Sequence, residues 1–463
     1  MAEVRHGNKA CTVNPLKMSQ PIGAALAFLG LDRCLPLLHG SQGCTAFGLV
    51  LFVRHFRETI PLQTTAMNEV TTILGGLENI EQALLNIHKR AQPAVIGLCS
   101  TGLTETKGDD VAGFLKLIRA RHPELADTEV VLVSTPDYRG AFQDGWGTAV
   151  KSMVEQLTHP TTVRTLLQVN ILPGCHLTPG DIEEIREIVE SFGLVPIILP
   201  DLSGSLDGHI PATFLPTTLG GTPLEDIRNL GEARLTIAIG EQMRPAAEAL
   251  EKITSVPYRV FDKLTGLKAS DDFIQLLAEL SENEVPAKYR RQRSQLLDAM
   301  LDGHFHFARK KIALAAEPDL LFALGTWFAE MGAEIQCAVT TTMSPSLARL
   351  PCDEVLIGDL EDFERAAVGA DLLVSHSHAR QAAERLDIPL FRTGLPTFDR
   401  IGAAHRVSVG YRGTRDLIFE AANLFMAAHA DFPALAASDP ALLPTTPLSE
   451  AGRASATSTI HRH

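Results

Sequence analysis

The chain has 463 residues, which is too long for one ordinary core and predicts about three domains at roughly 150 residues each. With 45% hydrophobic and 21% charged residues, its composition is that of a globular protein and excludes a largely disordered chain. The formal charge of −14 repels phosphate backbones and anionic lipid surfaces, so we expect no nucleic-acid partner and no membrane partner.

The start of the chain and its cysteines together predict a reducing, cytoplasmic location. Residues 1–15 lack the apolar core of a signal peptide, and no apolar run is long enough to span a bilayer. The seven cysteines are scattered without a CxxC pair, which argues against a disulfide framework.

Short β-branched runs alternate with amphipathic helical stretches, which is typical of parallel sheets with helical crossovers. In the first unit, strands are predicted at 93–100 and 129–136, with a helix over 111–122 between them. These elements form one βαβ unit.

The second unit contains predicted strands at 169–174, 195–200, 235–240 and 257–261. Thr178, Pro179 and Asp181 predict the start of its first helix, because they supply a capping hydroxyl, a proline at the first helical position and an acid three residues after the cap. Gly193 is expected to end that helix in a left-handed conformation.

The third unit begins with a predicted strand at 310–316 and a helix over 318–332, followed by four further strand patterns, EIQCAVTT, DEVLIGD, ADLLVSHS and PLFRTG. We therefore expect an α/β protein of three doubly wound, Rossmann-like parallel-sheet domains. The predicted divisions are 1–160, 161–300 and 301–430, with a solvated connecting helix at 281–300 and a mobile tail at 431–463.

No common nucleotide-binding motif accompanies these elements. The chain has no GxGxxG between a strand and a helix and no GxxxxGK[ST]. Two histidine pairs, His304 with His306 and His376 with His378, have the i, i+2 spacing of a strand face, but neither has a third ligand nearby, so structural or surface roles are favoured over metal binding. The acids of GDD at 108–110 are expected to cap a helix.

The cysteines differ in their surroundings. Cys99 and Cys337 fall in predicted strands and are expected to be small buried hydrophobic residues, and Cys34 and Cys352 border apolar segments and receive the same interpretation. Cys175 ends a strand, a position that can hold a ligand, although a structural role is favoured. Cys11 lies near the terminus and indicates little.

Cys44 is the exception, because it lies between small residues in HGSQGCTAFG. Gly40 and Gly43 allow backbone N–H groups to approach a bulky anion, and N–H contacts to sulfur tune iron–sulfur clusters. One cysteine cannot hold a cluster, so a metal role for Cys44 requires ligands from another chain.

The sequence segments around Cys44 are specific to a family. Residues 13–76, which include KMSQPIG and HGSQGCTAFG, resemble the amino-terminal domain of the nitrogenase β-subunit superfamily. CSTGLTETKGDD, STPDYRGAFQDGW and LFRTGLPTFDRIG resemble its later signatures. The resemblance covers roughly residues 10–430 and is greatest to the β-like subunits that help to assemble the iron–molybdenum cofactor. It implies the fold of nitrogenase component 1.

The resemblance also implies a ligand set. In the catalytic β subunit, three cysteines help to hold an eight-iron P-cluster, and the matching positions in this chain are Ser19, Cys44 and Gly102. Two of the three sulfurs are absent, and Ala141 replaces a serine near the oxidised cluster. Because glycine has no side chain to offer, the implied group is a [4Fe–4S] cluster shared with a partner, with Cys44 as the fourth ligand and three cysteines from the partner subunit.

The implied function is a scaffold subunit without catalytic residues, not an enzyme. Two copies of this chain and two NifE-like subunits are expected to form a heterotetramer that receives an iron–sulfur precursor of the iron–molybdenum cofactor from NifB. The precursor is held transiently, mainly in the NifE-like subunit. The nitrogenase iron protein then supplies molybdenum and homocitrate, and apo-nitrogenase accepts the product.

Two alternatives stay open at this stage. The chain could be the β subunit of a nitrogenase-like reductase, which is an electron-transfer enzyme, although the missing sulfurs weigh against catalytic nitrogenase. It could also be an α/β ligand-binding protein without metal, in which Cys44 is a buried thiol.

Overall fold

The computed structural model of the protein describes residues 1–7, 9, 12–210 and 212–428. Cys11 and the predicted tail at 431–463 lie outside the described residues. No helix in the described part is both long and apolar enough to cross a membrane.

The described residues form a regular series of strands and helices. The strands are β1 (Glu3–His6), β2 (Cys34–His39), β3 (Gln63–Thr64), β4 (Val95–Ser100), β5 (Glu129–Val133), β6 (Thr165–Pro173), β7 (Val195–Ile198), β8 (Ala233–Ile239), β9 (Tyr258–Phe261), β10 (Lys311–Ala315), β11 (Glu334–Thr340), β12 (Glu354–Ile357), β13 (Leu372–Ser375) and β14 (Leu390–Arg392). The α-helices are α1 (Gln20–Leu29), α2 (Gln42–Phe56), α3 (Glu69–Leu74), α4 (Leu77–Ala91), α5 (Gly102–Lys107), α6 (Val111–Arg121), α7 (Phe142–Leu157), α8 (Pro179–Glu190), α9 (Leu202–Ser205), α10 (Leu224–Arg228), α11 (Arg244–Thr254), α12 (Leu267–Ser281), α13 (Ala287–Phe307), α14 (Pro318–Glu330), α15 (Leu360–Ala366), α16 (Arg380–Leu386) and α17 (Gly410–Ala428).

The strands form three parallel sheets. The first has the order β3-β2-β4-β5, the second β7-β6-β8-β9 and the third β1-β12-β11-β10-β13-β14. This confirms the predicted α/β fold class. The domain divisions at 1–160, 161–300 and 301–430 stay predictions, and they do not account for the pairing of β1 with β12 in the third sheet.

The central strands of the first sheet are buried along their whole length. Every residue of β2 and of β4 is buried, and both strands are almost continuously apolar, as expected for a parallel sheet covered by helices on both faces. Parallel pairing aligns His39 at the end of β2 with Ser100 at the end of β4. The segments that follow these two strands therefore start at the same edge of the sheet.

The predicted start and end of α8 are confirmed. The Thr178 hydroxyl accepts a hydrogen bond from the Asp181 N–H at 2.9 Å, and an Asp181 carboxylate oxygen accepts one from the Thr178 N–H at 3.0 Å, so the two residues form a capping box. Gly193 follows the helix with a φ of +75°, the left-handed conformation that glycine adopts without steric cost.

The prediction of one solvated helix over 281–300 is wrong in two respects. Helix α12 ends at Ser281 and α13 begins at Ala287, after Pro286, so the chain is interrupted between them. Tyr289 and Leu296 of α13 are buried, and α13 packs against α17. Its charged residues obscured this narrow apolar stripe in the sequence.

Helices α1 and α7 cross at very short range. A Cβ atom at Gly23 of α1 would lie 1.9 Å from the Phe142 carbonyl oxygen, and one at Gly145 of α7 would lie 1.9 Å from the Gln20 carbonyl oxygen. Only glycine permits this approach at either position. The contact holds the amino terminus of α1 beside that of α7.

Candidate functional site

Cys44 lies in the first turn of α2. Ser41 is the N-cap residue, so Cys44 is the third residue of the helix. Its thiol is partly exposed, and Sγ lies 3.7 Å from the Ser41 Oγ. The sulfur therefore lies at the same end of α2 as the backbone N–H groups of the first turn.

The segment that carries Gly102 lies next to the start of α2. The Thr101 hydroxyl, which follows β4, donates a hydrogen bond to the His39 carbonyl oxygen at 2.9 Å. A Cβ atom at Gly40 would lie only 2.5 Å from this hydroxyl oxygen, so the close approach of the two segments requires glycine at position 40. Gly102 is the first residue of α5 and therefore lies at the same edge of the sheet as Cys44.

Ser19 and Ala141 complete this edge. Ser19 precedes α1, and the side chain of its neighbour Gln20 donates to the Arg139 carbonyl oxygen at 2.8 Å. The Gly102 N–H donates to an Asp137 carboxylate oxygen at 3.1 Å, so the segment 137–141 contacts both neighbouring helix starts. The four family positions are thus brought to one edge of the first sheet, which we call the cluster edge: Ser19, Cys44, Gly102 and Ala141.

Hydroxyl residues precede three helices at the cluster edge, but none uses its side chain as an ordinary cap. Ser19 and Ser41 make no side-chain capping hydrogen bond, and Thr101 directs its hydroxyl to His39 instead. Elsewhere in the described chain, Asn68, Asp110, Thr178 and Asp359 all accept hydrogen bonds from the first turn of their helices. Helices α1 and α2 therefore start at this edge without a side-chain cap, whereas the Gly102 N–H of α5 is already bound to Asp137. A helix start without a cap favours a bound anion.

The strand that leads into Cys44 ends at a buried, neutral histidine. His39 Nδ1 lies 2.9 Å from the Thr65 hydroxyl, and burial lowers the pKa of His39 to about 4. Its Nε2 lies 3.9 Å from an Asp109 carboxylate oxygen. Asp109 is paired more closely with Lys107, whose Nζ lies 3.1 Å from the other carboxylate oxygen. His39 thus anchors the end of β2 without carrying charge.

The remaining described cysteines lie in surroundings that keep their thiols protonated. Cys34 and Cys99 are fully buried, and burial raises the pKa of each. Burial also raises the pKa of the half-buried Cys337 to about 12 and that of Cys352 to about 11. Burial, and then the nearby Glu317 carboxyl, raises the pKa of Cys175 well above its usual range. None of these thiols shares the cluster edge with Cys44.

The histidine pairs do not form a metal site in the described part of the chain. His304 and His306 lie on α13, so the strand-face interpretation of their spacing is wrong, and helical residues two apart point in different directions. His376 follows β13, and its Nδ1 accepts a hydrogen bond from the His378 N–H at 3.3 Å. Among the described residues, no group of three or more His, Cys, Asp or Glu side chains could hold a metal ion. The predicted cap in GDD is confirmed, since Asp110 caps α6.

A pair of buried acids was not anticipated from the sequence. Glu317 and Asp319 begin α14, and burial raises the pKa of Glu317 to about 8 and that of Asp319 to about 7. Glu317 accepts a hydrogen bond from the Gln143 N–H of α7, and Asp319 accepts one from the Gln242 N–H that follows β8. The pair therefore joins elements next to all three sheets. Its only sequence signal is its position after a buried strand, which is also typical of an ordinary helix cap.

Comparison with known proteins decides the family. Residues 19–426 match the family of nitrogenase component 1 type oxidoreductases. The nitrogenase iron-molybdenum cofactor biosynthesis protein NifN of Bradyrhizobium diazoefficiens is 60% identical over 92% of this chain and 92% of that protein. The NifN of Nostoc sp. is 55% identical over 92% of this chain and 96% of that protein. The chain belongs to the nitrogenase component 1 family, in its NifN branch.

Solved structures of this family share the fold. The structure of nitrogenase Cp1 at pH 6.5 superimposes with a TM-score of 0.86 and 33% sequence identity, covering 91% of this chain and 94% of that chain. The NifN relatives are considerably more similar in sequence than this nitrogenase component. The resemblance inferred from the segment around Cys44 is therefore confirmed.

Proposed function

We propose that this NifN-branch chain is a scaffold subunit, and not an enzyme, for the assembly of the nitrogenase iron–molybdenum cofactor. Relatives that are 48–60% identical are named as proteins of iron–molybdenum cofactor biosynthesis. In this proposal Cys44 supplies one thiolate to a [4Fe–4S] cluster at the interface with a NifE-like subunit. The observation that carries it is a single, partly exposed thiol in the uncapped first turn of α2, at the cluster edge.

The residues at the cluster edge fit one ligand from this chain and no more. Ser19 and Gly102 contribute no sulfur, and the other described cysteines lie outside α2. The uncapped start of α2 suits the negative charge of a cluster with thiolate ligands and sulfide bridges. The remaining ligands must come from a second chain, because iron–sulfur clusters of this kind need about four protein ligands.

The surface beside Cys44 suits coverage by a partner. Phe47 and Val50 of α2 are 60% and 54% exposed, and Ile73 and Leu74 of the short α3 are 80% and 81% exposed. The Lys107 side chain links α5 to α3 through a hydrogen bond to the Thr71 carbonyl oxygen. Exposed apolar side chains that lie together on soluble proteins mark interaction surfaces. We call these four apolar side chains the partner face.

The wider assembly follows from the same proposal. Two copies of this chain and two NifE-like subunits form a heterotetramer in the cytoplasm, which receives the precursor from NifB. The precursor is bound transiently, mainly by the NifE-like subunit. The nitrogenase iron protein docks during maturation, and apo-nitrogenase accepts the completed cofactor. The interface cluster would supply one-electron chemistry when it is bound, and the residues of the cluster edge hold it in place.

The test uses the complex purified after co-expression with its NifE-like subunit. Iron is counted for each αβ half in the absence of precursor, and the cluster is observed by EPR in wild type, Cys44→Ala and the matched control Cys352→Ala. We expect about four irons per half, loss or distortion of the EPR signal in the Cys44 variant, and no change in the Cys352 variant. An unchanged signal in Cys44→Ala would refute the assignment of Cys44.

The same measurements separate the alternatives. An eight-iron centre in each half would favour the catalytic β subunit of a nitrogenase-like reductase. A colourless, iron-free complex would favour the metal-free ligand-binding protein. Sequence identity favours the scaffold over the first alternative, since the NifN relatives are 48–60% identical and nitrogenase Cp1 is 33% identical.

A further inference from the structure

A cavity of about 340 Å³ lies inside the molecule, away from the cluster edge. Residues 175–179, which follow β6, and residues 392–395, which include the end of β14, both line it, so the carboxyl ends of the second and third sheets contribute to its wall. Crevices at the carboxyl ends of parallel strands are the usual binding places in α/β proteins, and ligand pockets begin at about 300 Å³. The proposed scaffold function assigns no ligand to this cavity.

The charged part of the wall is cationic, although the whole chain carries −14. Arg392, Arg400 and Arg406 line the cavity, and Glu420 is the acidic residue among the lining side chains. Arg392 is paired with Asp399, whose carboxylate oxygen lies 2.7 Å from Nε. The exposed Arg400 lies at the protein surface, where it can attract an anion towards the opening.

Arg406 is the side chain best placed to bind an anion. Its guanidinium carbon lies 4.3 Å from the centre of the Phe391 ring, Nη1 donates to the Arg392 carbonyl oxygen at 2.6 Å, and Nη2 lies 2.8 Å from a Glu420 carboxylate oxygen. Its Nε has no hydrogen-bond partner among the described residues. Burial lowers the pKa of Arg406, and the nearby Glu420 and Asp181 carboxylates only partly offset this effect.

A second lining residue has unused hydrogen-bonding capacity. Neither ring nitrogen of His176 has a partner in the described part of the chain. Burial lowers the pKa of His176 to about 4, so the ring is neutral and offers one donor and one acceptor. Buried polar groups in folded proteins are normally hydrogen-bonded to protein or water, so Arg406 and His176 leave hydrogen-bonding sites on one wall for a molecule in the cavity.

Much of the rest of the wall is apolar. This apolar part is formed mainly by leucines from three helices and one loop: Leu26, Leu264, Leu320, Leu324 and Leu417. Such a wall excludes a small, fully hydrated inorganic ion as the best-fitting occupant, because the leucines would remain in contact with water.

We propose that this cavity binds a small organic anion, whose carboxylate or phosphate group contacts Arg406 and whose apolar body packs against the leucine wall. The site is independent of the Cys44 cluster. We expect the cavity to select ligands by their charge at one end and by the volume of their apolar body at the other. A second, positively charged end on the ligand would be rejected by Arg392 and Arg400.

The test is isothermal titration calorimetry on the purified full-length chain, in complex with its partner subunit. Octanoate and octyl phosphate serve as anionic probes, and octanol and octylamine serve as neutral and cationic probes with the same apolar body. Ala323→Leu fills the cavity from α14 without changing charge, and Arg406→Gln removes the cation. The matched control is Arg259→Gln, an exposed arginine stacked on Phe261 outside the cavity.

We expect one anion to bind per chain, about tenfold or more tightly than octanol or octylamine. Ala323→Leu and Arg406→Gln should each weaken its binding about tenfold or more, and Arg259→Gln should not. The tighter of octanoate and octyl phosphate then identifies the anionic group. The absence of saturable anion binding, equal binding of octanol or octylamine, or unchanged affinity in Ala323→Leu would each overturn the proposal. The last result is decisive even if Arg406→Gln fails to fold.

Discussion

The Ser41 hydroxyl lies 3.7 Å from the Cys44 sulfur and makes no capping hydrogen bond, although Ser41 occupies the N-cap position of α2. An N-cap serine normally accepts a hydrogen bond from the first turn of its helix. At this position the side chain instead faces the one sulfur at the cluster edge. The first-turn N–H groups are left available to whatever that sulfur binds.

This orientation predicts an unusually small effect of Ser41→Ala on stability. Because the hydroxyl does not cap α2, we expect the free energy of unfolding to fall by less than about 0.5 kcal/mol, compared with about 1 kcal/mol or more for Thr178→Ala, whose hydroxyl caps α8. Urea unfolding of both variants checks this comparison. Equal losses in the two variants would show that Ser41 caps its helix in solution.

The contact between Gly40 and Thr101 predicts that any side chain at position 40 destabilises the protein. A Cβ atom at Gly40 would lie 2.5 Å from the Thr101 hydroxyl, whereas one at Gly43 would have only the Ser41 hydroxyl nearby, at 3.9 Å. We expect Gly40→Ala to cost about 1–3 kcal/mol and to perturb the EPR signal of the complex, because it separates the two helix starts. Gly43→Ala is the control and should change neither quantity appreciably. A silent Gly40→Ala variant would contradict the observed packing.

The buried acids predict a loss of stability as pH rises. Their folded-state pKa values, about 8 for Glu317 and about 7 for Asp319, exceed the ordinary values of 4.5 and 3.8, so the folded state binds protons more tightly than the unfolded state. The free energy of unfolding should therefore fall as pH rises above about 4.5 and level off only above about pH 8, where both states are ionised.

The variant Glu317→Gln isolates this effect. Between pH 6.5 and 8 its melting temperature should fall less steeply than that of wild type, because the amide does not titrate. Glu334→Gln, at an exposed position at the start of β11, is the matched control and should retain the wild-type slope. Parallel slopes for wild type and Glu317→Gln would show that the Glu317 carboxyl is not held protonated.

The partner face predicts which surface substitutions disrupt assembly. We expect Leu74→Glu, at a position that is 81% exposed, to weaken association with the NifE-like subunit about tenfold or more, because it places a charge in an apolar interface. Leu301→Glu on α13, at a position that is 72% exposed, should leave assembly unchanged. Sedimentation of the co-expressed chains measures both effects. If Leu301→Glu is the disruptive variant, the interface lies elsewhere on the molecule.

The sequence by itself determined the fold class, the family and the sulfur of interest. Buried parallel strands such as β4 are continuously apolar, so they can be recognised from the local sequence. The start of α8 is also a local signal, because Thr178, Pro179 and Asp181 are neighbours in the chain. Cys44 could be singled out because its neighbours and the absent sulfurs at positions 19 and 102 are properties of the chain itself.

Only the tertiary structure decided how distant segments meet. Parallel pairing of β2 with β4 places Cys44 beside Gly102, and the glycine contacts between α1 and α7 place Ser19 beside Ala141. The pairing of β1 with β12, the buried acids and the cavity around Arg406 likewise depend on segments that are far apart in the chain. The local sequence shows whether a residue is apolar or charged and therefore whether it favours burial. The pKa shifts, missing hydrogen-bond partners and unused caps depend on neighbours that only folding brings together.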